Sequence, residues 1–174
     1  MVQLLAISGS LRRTSLNTAL LRAAAQLAPT GVEILLFAGL GDLPLFNPDL
    51  EGNEPRSVLE FRAQLQLRNG VLISSPEYAH GVSGVLKNAL DWVVGSGEFS
   101  GKPVAIFNSS PRASIAQESL AEIIRTMDAR LIADAALALP LLGKNMGTNA
   151  IVANPEMNLA IRRALRAMVD AVGA

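Results

Sequence analysis

The chain has 174 residues, half of them hydrophobic and 17% charged, which suits one compact domain over 1–174 with a substantial core rather than a disordered chain. Fifteen basic residues balance fifteen acidic ones, so no overall field points to nucleic acid or an anionic membrane as partner. Cysteine is absent and histidine occurs once, which excludes disulfides, iron–sulfur clusters and thiolate metal sites and leaves no metal-ligand set.

Residues 2–7 are a short apolar run that ends at Ser8-Gly9-Ser10, the pattern of a buried strand. The start lacks a basic leader and no apolar run approaches membrane-spanning length, so the expected location is the cytoplasm. Leu16, Ala19, Leu20, Ala23 and Leu27 recur at helical spacing before Pro29. Residues 32–37 predict a second strand. Residues 39–55, with three glycines and three prolines, predict a long loop. Val58, Phe61 and Leu65 mark a second helix. Residues 70–74 predict a third strand and 83–94 a third helix. Residues 104–108 predict a fourth strand, followed by a helix carrying Leu120, Ile123, Ile124 and Met127. Alanine-rich residues 131–139 predict a fifth strand, and Ile161, Ala164, Leu165 and Met168 line a last helix.

Five strands alternating with helices imply an α/β fold: a parallel sheet of order 2-1-3-4-5 between two helical layers, flavodoxin-like. In that order the loops after the first and third strands flank the topological switch point, where ligands bind.

In the first loop, hydroxyls and a glycine precede a helix start, whose free amides and positive dipole end attract phosphate. Ser10, Ser15 and Asn17 can donate hydrogen bonds and Arg12 charge-assisted ones. Capping of the helix by Thr14 or Ser15 explains the same residues equally well. No Gly-Lys-Ser/Thr, no G-x-G-x-x-G after the first strand and no G-x-S-x-G occurs, so the common nucleotide and nucleophile motifs fail. In the loop after the third strand, Pro76 fixes the chain, and amides from residue 77 to residue 81 can address the polar edge of a flat ring. Tyr78 is either a wall of that ring site or a half-buried anchor. His80 is either a second wall or an ordinary loop histidine. Lys87, Asn88 and Asp91 read as a solvated face or a subunit contact, and Trp92 as packing, within the core or at an interface.

Taken together, Ser8-Gly-Ser-Leu-Arg-Arg-Thr-Ser-Leu-Asn17 and Pro76-Glu-Tyr…Gly84-Val-Leu-Lys-Asn-Ala-Leu-Asp-Trp92 resemble the NAD(P)H-dependent FMN reductase family, which includes quinone, azo-dye and chromate reductases. The resemblance implies FMN as cofactor, with its phosphate held by Ser10, Arg12, Ser15 and Asn17. It places the isoalloxazine ring against Pro76, Glu77, Tyr78, Ala79 and His80, with the loop Asn108-Ser109-Ser110-Pro111-Arg112 bordering the ring from the other side. It also implies NADPH or NADH as reductant, a small acceptor such as a quinone, and a homodimer or homotetramer. Two departures stand out. Ala79 replaces the family's frequent asparagine, and Pro111-Arg112-Ala113 replaces a frequent glycine pair.

The expected activity is FMN-dependent, ping-pong transfer of electrons from NAD(P)H to a small acceptor. The cofactor would carry the chemistry, so no catalytic side chain and no metal is expected. A flavodoxin-type electron carrier is the alternative; such carriers use an acidic surface to steer toward partners, which the balanced charge here does not supply. A cofactor-free interaction module is a third reading, since fold alone never settles function. The loop around Phe46 is either an ordinary packed loop or a wall over a neighbouring subunit's site.

Overall fold

A computed structural model describes residues 1–110, 112–143 and 146–173. The strands are β1 (Val2–Ser8), β2 (Val32–Leu36), β3 (Gly70–Ser74), β4 (Glu77–Tyr78), β5 (Gly81–Val82), β6 (Pro103–Asn108), β7 (Arg130–Leu131) and β8 (Leu137–Ala138). The parallel sheet runs β2-β1-β3-β6-β7, with β8 also paired to β6. The order matches the one expected from the alternating pattern, with β6 in the fourth place and β7 and β8 sharing the fifth.

Strand pleating sends alternate side chains to opposite faces, so one run of apolar residues serves two cores. Leu4, Ala6, Leu72, Ala105 and Phe107 face one layer, made by α1 (Leu16–Gln26), α5 (Thr148–Ala153) and α6 (Pro155–Gly173). Leu5, Ile7, Val71, Ile73, Val104 and Ile106 face the other, made by α2 (Arg56–Leu67), α3 (Gly84–Asp91) and α4 (Ser114–Thr126). β3 and β6 are buried along their whole length, and the backbones of β1 and β3 run in register from Leu4 beside Gly70 to Ser8 beside Ser74. Both therefore stop together, at the same edge of the sheet.

The fifth strand departs from expectation. Instead of an unbroken 131–139, β7 and β8 are separated by a 3-10 turn at Ala133–Ala135, closed by Ala135 N–H donating to the Ile132 carbonyl. Alanine and aspartate are poor strand formers, so these residues turn instead and bury Ala135 against the α6 layer. The long loop of residues 39–55 contains two short 3-10 turns, Gly39–Asp42 and Pro48–Leu50. A hairpin of β4 (Glu77–Tyr78) and β5 (Gly81–Val82) was not anticipated, nor was α5.

Candidate active-site cleft

Three loops meet beyond the carboxyl ends of β1, β3 and β6 and enclose a cleft of about 370 Å³. Their close approach depends on Gly9. A Cβ there would come within 2.6 Å of Ser75 Oγ and 2.9 Å of Ser83 Oγ, so a side chain would push the first and second loops apart. Gly9 N–H donates to the Ser74 carbonyl at 2.8 Å, continuing the sheet pairing into the loop.

Asn17 ties the three loops together from beneath. It is buried, and its Oδ1 accepts from Ser74 Oγ at 2.8 Å and Ser109 Oγ at 2.9 Å. One side chain on α1 thus holds the ends of β3 and β6. Asn17 is not in the cleft wall, whereas Ser10, Arg12 and Ser15 are. Ser15 caps α1, its Oγ accepting from Thr18 N–H at 3.2 Å, which leaves the hydroxyl hydrogen free to donate elsewhere. Capping and ligand binding are therefore compatible at this residue. Arg12 is exposed and makes no ion pair or side-chain hydrogen bond among the described residues. The unpaired guanidinium, the Ser10 and Ser15 hydroxyls and the free first-turn amides of α1 make a donor set that fits a phosphate.

The second loop forms the opposite wall. Pro76, Glu77 and Tyr78 line it, and the chain then reverses through the two-residue turn Ala79-His80. Both turn residues have positive φ, 48° and 57°, as the tight turns of twisted hairpins require. Tyr78 is 60% exposed. His80 stands out toward solvent, with Nδ1 3.2 Å from Glu77 Oε1.

Glu77 has a further contact that its place in the sequence does not announce. Its Oε2 accepts from Ala116 N–H at 2.8 Å, in the first turn of α4, a helix whose own N-cap residue, Ala113, offers no side-chain cap. The carboxylate thus caps a helix from another element and sits at the positive end of its dipole. The sequence does not signal this contact, because Ser114 reads as an ordinary N-cap, whereas the structure places it inside the helix and leaves Ala113 at the cap position.

The third loop is held by Asn108. Its Nδ2 donates to Gln117 Oε1 at 2.6 Å, and its Oδ1 accepts from Ser110 N–H at 2.8 Å. Ser109, Ser110 and Arg112 border the cleft; Pro111 lies outside the described residues. Arg112 is the second cation of the cleft and makes no ion pair among the described residues. Among the described residues the one acid in the wall is Glu77, whose oxygens are already engaged, so the cleft is electropositive although the chain as a whole is neutral.

Asn88 is not a solvated face, and Trp92 packs in the core as expected while also donating a hydrogen bond. Asn88 Oδ1 accepts from Phe46 N–H at 2.8 Å, while Asn88 Nδ2 and Trp92 Nε1 both donate to the Pro44 carbonyl, at 2.9 and 2.8 Å. Phe46 packs edge-on against Trp92, ring centroids 5.1 Å apart. These residues pin the loop after β2 to α3 within the same chain. Lys87 pairs with Asp91 at 2.5 Å along the helix.

Comparison with known proteins places this cleft in context. Residues 2–142 match the model of the NADPH-dependent FMN reductase family. An NAD(P)H-dependent FMN reductase of Pseudomonas aeruginosa is 43% identical over 112 residues, 63% of this chain and 60% of that protein's length. A 2-hydroxy-1,4-benzoquinone reductase of a Burkholderia species is 39% identical over 70% of this chain and 69% of its own. Among solved structures, the flavoenzyme NAD(P)H:(acceptor) oxidoreductase of Paracoccus denitrificans superposes with a TM-score of 0.84 at 27% identity, over 99% of this chain and 98% of that one. An archaeal flavodoxin superposes with a TM-score of 0.65 at 13% identity, a likeness of fold.

Proposed function

The chain belongs to the NADPH-dependent FMN reductase family, and on that premise we propose that it is an oxidoreductase passing electrons from NADPH or NADH, through FMN held in the cleft, to a small acceptor of the quinone class. The observation that carries this reading is the pairing of an electropositive, hydroxyl-lined pocket at the start of α1 with the backbone hairpin of residues 77–82 across one cleft. Bound there, FMN would supply the chemistry, taking a hydride from the nicotinamide and giving the electrons to the acceptor in a second half-reaction.

The chain's own part is binding, orientation and shielding. Arg12 neutralises phosphate charge, and the Ser10 and Ser15 hydroxyls and the first-turn amides of α1 fix its oxygens. Asn17 supports that corner from below by tying Ser74 and Ser109 in place. Pro76, Glu77 and Tyr78, which line the cleft, would meet the ring mainly through backbone, whereas Ala79 and His80 form the hairpin tip outside that lining. Ser109 and Ser110 close the third wall. Arg12 and Arg112 favour an anionic cofactor over a neutral one. No side chain needs to form a bond to substrate.

A homodimer or homotetramer, as the family resemblance implies, would give a surface such as Leu45, which is 84% exposed, a partner to cover it. Initial rates measured against NADPH and a quinone at several fixed concentrations of each, with FMN in excess, test the two half-reactions. Parallel double-reciprocal lines are expected; intersecting lines would contradict separate steps.

A further inference from the structure

Beside the cleft lies a second depression, of about 320 Å³, which shares Thr14, Ser15 and Leu16 with it. It therefore opens next to the phosphate corner and away from the hairpin that flanks the ring. Arg13 and Arg22 line it, with Thr148 beside them and Leu16, Ala19 and Met146 as its apolar lining. Among the described residues neither arginine makes an ion pair or side-chain hydrogen bond, and none of those lining the depression is acidic. Two guanidinium groups without counter-charge, in a concave setting of ligand size, call for an anion. The apolar lining and the planar guanidinium faces call for a flat base as well. Nothing in the flavin reading uses Arg13, Arg22, Ala19, Met146 or Thr148.

We propose that this depression binds the adenylate part of a dinucleotide, its phosphate on Arg13 and Arg22 and its base against Leu16, Ala19 and Met146. The inference rests on the reading that the FMN phosphate sits at Ser10 and Arg12, because the shared wall then puts the two phosphate sites next to each other. The same adenylate can come from two sources. It can belong to flavin adenine dinucleotide, joined to the flavin through its pyrophosphate, or to the NADPH that reduces the flavin.

Apoprotein of the wild type and of Arg22→Ala, which lies outside the flavin cleft, is titrated with FMN, with flavin adenine dinucleotide and with 2′,5′-ADP. Binding of 2′,5′-ADP is expected to weaken about tenfold in the variant, the loss of one charged hydrogen bond, while FMN affinity stays the same. If the flavin dinucleotide is the source, it binds wild type more tightly than FMN does, and Arg22→Ala removes that advantage. If NADPH is the source, the two flavins bind alike, and the KM for NADPH of the FMN-loaded protein rises about tenfold in Arg22→Ala with kcat retained. Equal binding of 2′,5′-ADP and both flavins by the two proteins, with an unchanged KM, overturns the proposal. Failure of wild type to bind FMN overturns the cofactor reading instead, and the 2′,5′-ADP titration still decides on the depression.

Discussion

With φ at +48°, Ala79 occupies the left-handed region, which a residue with a Cβ enters at a cost of order 1–3 kcal/mol. Asparagine enters it more readily, so an asparagine here serves the turn whether or not it touches a flavin. Ala79→Asn is expected to raise stability by about 0.5–1 kcal/mol, seen as a higher thermal midpoint with FMN affinity little changed; a lower midpoint would contradict the strained turn. Ala79 was legible in the sequence as an anomaly, but its meaning was not, because a hairpin of two-residue strands leaves no periodicity to read. Arg12 lies in the cleft wall, beside the helix start that its place in the sequence indicates, and its hold on a phosphate is the part of the proposal that mutation tests. Arg12→Ala is expected to weaken FMN binding by about 1.5–3 kcal/mol, ten- to hundredfold, and titration of apoprotein measures it. Asn17 was the more instructive residue. The position was noted for the right region, yet its Oδ1 is spent on two serines from distant strands, contacts that no local spacing encodes.

α2 and the segment after α3 are joined by a buried ion pair. Glu98 has a fully buried carboxylate that accepts from Arg62 Nε at 2.7 Å and also from Ser96 Oγ, while Arg62 reaches Glu54 at 2.9 Å. Burial alone would raise the Glu98 carboxyl, but the hydrogen bonds from Ser96 and Arg62 outweigh it and hold it below the ordinary glutamate range. A carboxyl depressed in the folded state contributes stability above its unfolded pKa and loses it as pH falls through the folded value. Urea midpoints are therefore expected to fall on acidification below the ordinary glutamate range, about pH 4, and to fall less steeply in Glu98→Gln. Arg62→Ala leaves the carboxylate without its cation and is expected to cost about 3 kcal/mol, the lower end for an orphaned buried charge; Arg62 is itself a quarter exposed, which admits water. Helices and strands with strong apolar periodicity were read to within a few residues. The fifth strand was misread because alanine satisfies a burial pattern without committing to a strand, and the turn at Ala133–Ala135 costs nothing a larger side chain would have resisted.

The molecule brings together what the chain separates: a phosphate corner near residue 12, a hairpin near residue 79 and a third wall near residue 110 face one cleft because β1, β3 and β6 are neighbours in a parallel sheet. That convergence follows from the right-handed crossovers expected of alternating strands and helices, so strand order and cleft position were legible before any coordinates. The local segregation of charge was not, since fifteen positive and fifteen negative side chains give no hint that the cleft wall holds two arginines and one engaged carboxylate. Light scattering of the purified protein is expected to give the mass of two or four chains, and Leu45→Asp, which puts a charge on the most exposed leucine, is expected to shift it toward one; an unchanged mass would remove that residue from the contact. The electron-transfer reading is tested at its root by the visible absorbance of the FMN-loaded protein under anaerobic addition of NADPH, with no other protein present. The flavin band is expected to bleach in proportion to the NADPH added and to return when a quinone is supplied. A band that persists through excess NADPH and NADH would contradict it.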